Sequence, residues 1–176
     1  LLGSYQLSNA ITALEVVQAL RDAGWTIPEE AAARGLAAAQ WPGRLELARR
    51  SPDFIVDGGH NPQCVDALAA ALESLYPGRK LIFLSGVLAD KDWHSMFRRV
   101  LPLAKAFVAV TPDSPRALPA AELAAWLAQF SIPVSVQETL DQGVDTALAL
   151  AGPEDVICAW GSLYSVGEIR HHLGLC

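Results

Sequence analysis

A carboxylate, an imidazole and an amide lie close together in Asp57-Gly58-Gly59-His60-Asn61-Pro62. A fixed carboxylate such as Asp57 can accept both hydroxyls of a ribose, or pair with an ammonium. Arg44 and Arg116 carry the planar guanidinium that grips a phosphate or carboxylate in bidentate fashion. Pro62 and Ser162 each stand where a helix should begin, and the unpaired N–H groups of a helix N-terminus attract anions. Together these groups suit a small zwitterion or a nucleotide. Plainer readings fit the same residues. Asp57 and Asn61 serve equally well as helix caps, His60 as an exposed histidine, and Asp90-Lys91-Asp92 as a solvated cap. Arg116, among three prolines, can simply order its loop.

The elements that must position these groups follow from hydrophobic periodicity. Phe54, Ile55 and Val56 read as a buried strand that stops at Asp57. Gly58 and Gly59 allow a tight turn, Asn61 suits an N-cap and Pro62 the first helical position. Val65, Leu68, Leu72 and Leu75 form the apolar face of the helix that follows. Further strands are predicted at 81–84, 106–110, 134–136 and 156–160, with an edge strand at 45–48. Helices are expected from about Trp93, from Pro119, around Leu140 to Leu148, and after Gly161-Ser162. Ahead of these, Ser8 and Asn9 are expected to precede a helix carrying Leu7, Ile11, Leu14, Val17 and Leu20. Thr26-Ile27-Pro28-Glu29 reads as a capping box opening a second helix to about Ala39.

Strand and helix alternate about five times. The fold class is therefore α/β: a Rossmann-like, mostly parallel sheet with helices on both faces, preceded by a short helical segment. The loops at 57–62, 86–92, 111–116 and 161–162 should gather at the carboxyl edge of the sheet, where ligands of open α/β sheets bind. Trp41-Pro42-Gly43 breaks the chain between residues 1–40 and a domain spanning 41–176.

Composition narrows the function classes. The chain has 176 residues, of which 52% are hydrophobic, enough for one proper core. A formal charge of −6 argues against nucleic-acid or anionic-membrane surfaces. Cys64, Cys158 and Cys176 are far apart and odd in number, with neither a metal-ligand spacing nor a disulfide framework. Reduced thiols, no apolar run of membrane length and no basic-then-apolar leader give a cytoplasmic expectation. The absence of an initiator methionine suggests a piece of a longer protein. No G-x-x-x-x-G-K-[ST] cradle, no G-x-G-x-x-G turn and no G-x-S-x-G elbow is present. The chain offers recognition groups without a complete catalytic set.

Five motifs in order carry a resemblance. Trp41-Pro42-Gly43-Arg44-Leu45-Glu46, Asp57-Gly58-Gly59-His60-Asn61-Pro62, Gly86-Val87-Leu88-Ala89-Asp90-Lys91-Asp92, Thr111-Pro112-Asp113-Ser114-Pro115-Arg116-Ala117-Leu118-Pro119 and Gly161-Ser162-Leu163-Tyr164 resemble the C-terminal domain of the folylpolyglutamate synthase/dihydrofolate synthase family, within the Mur ligase superfamily. Gln6-Leu7-Ser8-Asn9-Ala10 resembles the close of that family's central domain, which would make residues 1–40 its helical end.

The resemblance implies an ATP-dependent ligase. Such an enzyme activates the carboxylate of dihydropteroate or a folate as an acyl phosphate, and the amine of L-glutamate then attacks it. It implies that Asn9, Arg44 and Asp57 contact ATP at the adenine, phosphate and ribose respectively. His60 and Ser162 would hold the incoming glutamate and serve catalysis, with Arg116 as a further carboxylate ligand. Position 114 is Ser where the family pattern leads one to expect Asn. Mg2+ would be held by the family's central ATPase domain, a partner in the same protein, and no metal ligand is assigned in this chain. The chain alone would then be inactive. Two other readings stand beside this one: the C-terminal domain of a Mur-type ligase building peptidoglycan, and a non-catalytic module binding a nucleotide or an amino acid.

Overall fold

The computed structural model describes residues 1–175. They fall into two compact units, one spanning Leu1–Pro42 and the other beginning at Gly43.

The first unit contains α1 (Tyr5–Asp22) and α2 (Glu29–Ala38). Ser8 and Asn9 lie inside α1 rather than before it, because nothing from Tyr5 to Leu7 interrupts a helix and the chain turns at Ser4. The apolar residues Leu7, Ile11, Leu14 and Leu20 are exposed, and α1 buries no residue. The expected capping box at Thr26 is absent. Pro28 is the N-cap of α2, its ψ of 145° keeps the chain extended up to Glu29, and no side chain caps the helix.

The second unit runs β1 (Glu46–Arg49), β2 (Asp53–Val56), α3 (Pro62–Leu75), β3 (Leu81–Ser85), α4 (Trp93–Val100), β4 (Ala104–Ala109), α5 (Ala120–Leu127), β5 (Val134–Val136), α6 (Leu140–Leu150), β6 (Val156–Trp160) and α7 (Leu163–His172). The six strands form one sheet in the order β1-β2-β6-β3-β4-β5. Only β1 is antiparallel, pairing with β2 at the edge; the other neighbours are parallel. The central strands β3 and β6 are buried at every position, which is why they read as continuous apolar runs.

Successive side chains of a strand point to opposite faces, and the two faces carry different cores. On one, Phe54, Val56, Ile82, Leu84, Val108, Ile157 and Ala159 pack with Leu140, Val144 and Ala147 of α6 and Ile169 of α7. The other is aromatic. Phe83 stacks on Phe107 with ring centroids 5.4 Å apart, and Phe97 of α4 meets Trp160 at 4.9 Å. Trp126 of α5 extends this cluster through Phe97. On α3, Val65, Leu68 and Leu72 are buried, whereas Leu75, in the last turn, is 41% exposed. Among the described residues no helix is long and apolar enough to cross a membrane.

Candidate functional site

The strand order sets the site. Because β2, β6, β3 and β4 are consecutive neighbours, the loops leaving their carboxyl ends lie side by side. Backbone hydrogen bonds join these loops. Gly161 N–H donates to Gly59 O at 3.1 Å, linking the turn after β6 to the turn after β2. Leu118 N–H donates to Val87 O at 2.9 Å and Ala89 N–H to Arg116 O at 2.8 Å, joining the loops after β3 and β4. Gly161, at φ +119°, sits so close to the loop after β3 that an added Cβ would lie 2.6 Å from Gly86 O.

Asp57 is the best-anchored polar group here. It is 7% exposed. One carboxylate oxygen accepts Leu45 N–H at 2.8 Å and the other accepts Gly59 N–H at 2.7 Å. Burial pushes its carboxyl above the ordinary carboxylate range, while these two N–H donors and the charges of Arg44 and His60 pull it back. Asp57 thus ties the entry to β1, the exit of β2 and the Gly58-Gly59 turn together. It does not cap α3. That cap is Asn61, whose side chain accepts Cys64 N–H at 2.9 Å, with Pro62 at the first helical position.

His60 Nδ1 lies 2.9 Å from Gly58 O. A carbonyl oxygen only accepts, so Nδ1 carries a proton, and in the neutral form of the ring Nε2 is an acceptor. Ser162 is 3% exposed and caps α7, accepting Tyr164 N–H at 3.2 Å. Arg44 is exposed, and its charge acts on the Asp57 carboxylate. Asp57, His60, Arg44 and Ser162 are therefore parts of one hydrogen-bonded edge. Arg116 belongs to the neighbouring loop, where its guanidinium pairs with Asp90 at 2.9 Å and both side chains stay half exposed. Asn9 lies in the first unit, exposed on α1, and donates to Gln6 Oε1 at 2.9 Å. Among the described residues no group of three or more His, Cys, Asp and Glu side chains is placed to hold a metal ion.

Two features of this edge had no local signal in the sequence. Glu46 accepts Gly43 N–H at 2.7 Å and pairs with Arg170, which is 124 residues away. Ser85 and Trp160, registered partners at the ends of β3 and β6, each bury a polar atom with no hydrogen-bond partner beside the site loops.

Residues 43–163 match the family described as Mur ligase, glutamate ligase domain. The chain is 31% identical over 175 residues to the folylpolyglutamate synthase of Lacticaseibacillus casei, covering 98% of this chain and 39% of that protein. It is 30% identical to the dihydrofolate synthase/folylpolyglutamate synthase of Bacillus subtilis, covering 98% of this chain and 40% of that one. Among solved structures, the Mycobacterium tuberculosis folylpolyglutamate synthase complexed with ADP superposes with a TM-score of 0.88 at 31% identity, over 99% of this chain and 41% of that chain. The Escherichia coli FolC in complex with DHPP and ADP gives 0.82 at 26% identity, over 92% of this chain and 38% of that one. The chain thus spans about two fifths of the length of these two curated relatives. Its mostly parallel six-stranded sheet, its four adjoining loops and the match over residues 43–163 lead to one assignment: the chain belongs to the Mur ligase glutamate-ligase domain family.

Proposed function

We propose that this chain is the C-terminal, nucleotide- and glutamate-binding part of a cytoplasmic ATP-dependent ligase that adds L-glutamate to dihydropteroate or a folate. The observation that carries the reading is the likeness to folylpolyglutamate synthases along nearly the whole chain, 98% of it for the Lacticaseibacillus casei protein. It is supported by relatives of known structure that hold ADP, one of them together with DHPP.

The residues fit such ligands. Arg44, exposed beside Asp57, suits the phosphates, and its charge offsets negative charge that builds up during phosphoryl transfer. Each Asp57 oxygen accepts one backbone N–H and keeps a second lone pair for a ribose hydroxyl. His60 Nε2, an acceptor in the neutral ring, suits the ammonium or amine of glutamate. The Ser162 cap and the N–H groups behind it suit a glutamate carboxylate. Arg116 adds a second carboxylate ligand. Its exposed pair with Asp90 is worth about 0–1 kcal/mol, so an incoming carboxylate displaces Asp90 at little cost.

ATP phosphorylates the acceptor's carboxylate and leaves as ADP. The glutamate amine then attacks the acyl carbon, phosphate departs, and the nitrogen loses a proton as the amide forms. This chain's part is to hold the two small substrates in register. The nucleotide's Mg2+ ligands and the pterin contacts belong to the central ATPase domain, with residues 1–40 as that domain's end. The test is glutamate transfer by the full-length protein with Mg-ATP and either acceptor. Transfer only to a peptidoglycan precursor would replace the folate reading with the other Mur-type branch. Turnover by the isolated 176-residue chain would contradict the division of labour.

A further inference from the structure

Arg44 is an exposed side chain on an unusually constrained piece of backbone. Gly43 on one side has φ +69° and Leu45 on the other has φ +46°, both left-handed. Two acidic side chains hold the flanking amides. Leu45 N–H donates to Asp57 at 2.8 Å, and Gly43 N–H donates to Glu46 Oε2 at 2.7 Å. Gly43 O in turn accepts Gly58 N–H at 2.8 Å. Gly43 also rests against α7, where an added Cβ would lie 2.5 Å from a methyl of Val166.

Glu46 is itself fixed. Its other carboxylate oxygen pairs with the Arg170 guanidinium of α7, one turn beyond Val166, and the two side chains are only 22% and 17% exposed. A carboxylate shared between a backbone N–H and a guanidinium has few alternative positions. The chain from Gly43 to Leu45 is therefore pinned at both ends, by Glu46 at Gly43 and by Asp57 at Leu45, and Arg44 projects from between them. A long arginine loses much rotamer freedom when it grips a ligand, and a fixed Cα reduces what remains to be lost.

We propose that Glu46, braced by Arg170, is a positioning residue for Arg44: it sets the Gly43–Leu45 turn so that the guanidinium meets the phosphates of a bound nucleoside diphosphate or triphosphate. The proposal rests on the reading of Arg44 as a phosphate ligand. Glu46 acts through Arg44 and makes no ligand contact of its own.

The test is a double-mutant cycle in the full-length ligase, read as ADP affinity by equilibrium dialysis and as KM for ATP and for glutamate. Glu46→Ala is expected to weaken ADP and raise KM for ATP by about tenfold, with KM for glutamate within about twofold of the parent. In an Arg44→Ala background, Glu46→Ala should cause no further loss of ADP affinity. Glu46→Gln, which keeps an acceptor for Gly43 N–H but loses the charge facing Arg170, should fall between parent and Glu46→Ala, and it carries the test if the alanine variant does not fold. If Arg44→Ala leaves ADP binding unchanged, the phosphate reading of Arg44 fails and the proposal falls with it. If Arg44→Ala weakens ADP but Glu46→Ala and Glu46→Gln do not, or if the two losses add, the positioning role is overturned while the reading of Arg44 stands. Equal rises in KM for ATP and glutamate would also overturn it, since they mark a general loosening of the edge.

Discussion

Asp57 Oδ2 accepts the N–H of Leu45 at 2.8 Å, and Leu45, 1% exposed, sits there in a left-handed conformation at φ +46°. A non-glycine residue is held in that region only when its surroundings over-determine it. Here the carboxylate at the end of β2 does so, fixing the entry to β1 just after Arg44. Asp57 is therefore structural and, on the proposed reading, ligand-binding at once.

That dual role makes Asp57→Ala costly in two measurable ways. It leaves the Leu45 and Gly59 N–H groups without acceptors, at roughly 1–3 kcal/mol for each buried donor. Urea unfolding of the variant should show a lower midpoint, and ADP affinity should fall with it. Asp57→Asn, retaining one acceptor oxygen, should recover part of the stability. A variant as stable as the parent would remove Asp57 from its anchoring role.

Two glycines should respond oppositely to alanine. Gly161→Ala forces a side chain into φ +119° and against Gly86 O. The neighbour is backbone and cannot swing away, so we expect a loss of about 2 kcal/mol or more. Gly167 lies exposed within α7 with nothing within 4 Å of an added Cβ. Gly167→Ala should stabilise by about 0.5–1 kcal/mol through helix propensity. Thermal melts of the two variants check both signs.

His172 gives a pH signature. Its Nε2 meets Asp145 at 2.9 Å and its Nδ1 meets Asp141 at 3.0 Å, both on α6. The hydrogen bond to Asp145 is the main reason its pKa is raised above the ordinary 6.5, with the two negative charges adding to it. Because the folded value is the higher one, the stabilisation is complete below the unfolded value and disappears as pH rises through the folded value. His172→Gln should therefore lower the Tm at about pH 6 and match the parent at about pH 9. An equal deficit at both pH values would show that the contact is not ionic.

The cysteines should differ in reactivity. Cys158 is fully buried in β6, and burial with the nearby Asp57 charge pushes its thiol well above the ordinary range. Cys64 is partly exposed in the first turn of α3. Since the thiolate is the reactive form, brief iodoacetamide treatment at neutral pH followed by peptide mapping should find label on Cys64 and none on Cys158. Labelled Cys158 in folded protein would contradict the packing of the sheet.

Much of the site was legible because its signals are local. Phe54 to Val56 followed by Gly58, Gly59, Asn61 and Pro62 encodes strand, turn, cap and helix within nine residues, and the chain folds that way. Thr26 to Glu29 has the letters of a capping box, yet Pro28 takes the cap position. A true box forms instead between Thr139 and Gln142, where no proline intervenes. α1 begins at Tyr5, earlier than Ser8 and Asn9 suggest, because those two residues point equally to a cap and to a tolerated helix interior. The bracing of Arg44 by Glu46 and Arg170 was invisible, since no pattern along the chain pairs residues 124 positions apart.

The most direct measurement of the central claim follows labelled L-glutamate in the full-length protein, supplied with Mg-ATP and either dihydropteroate or a reduced folate. The proposed ligase activity predicts amide-linked label in at least one acceptor, with ADP and phosphate released in step and with Arg44→Ala reducing the rate. Folded protein that binds ADP yet transfers no glutamate to either acceptor would contradict it.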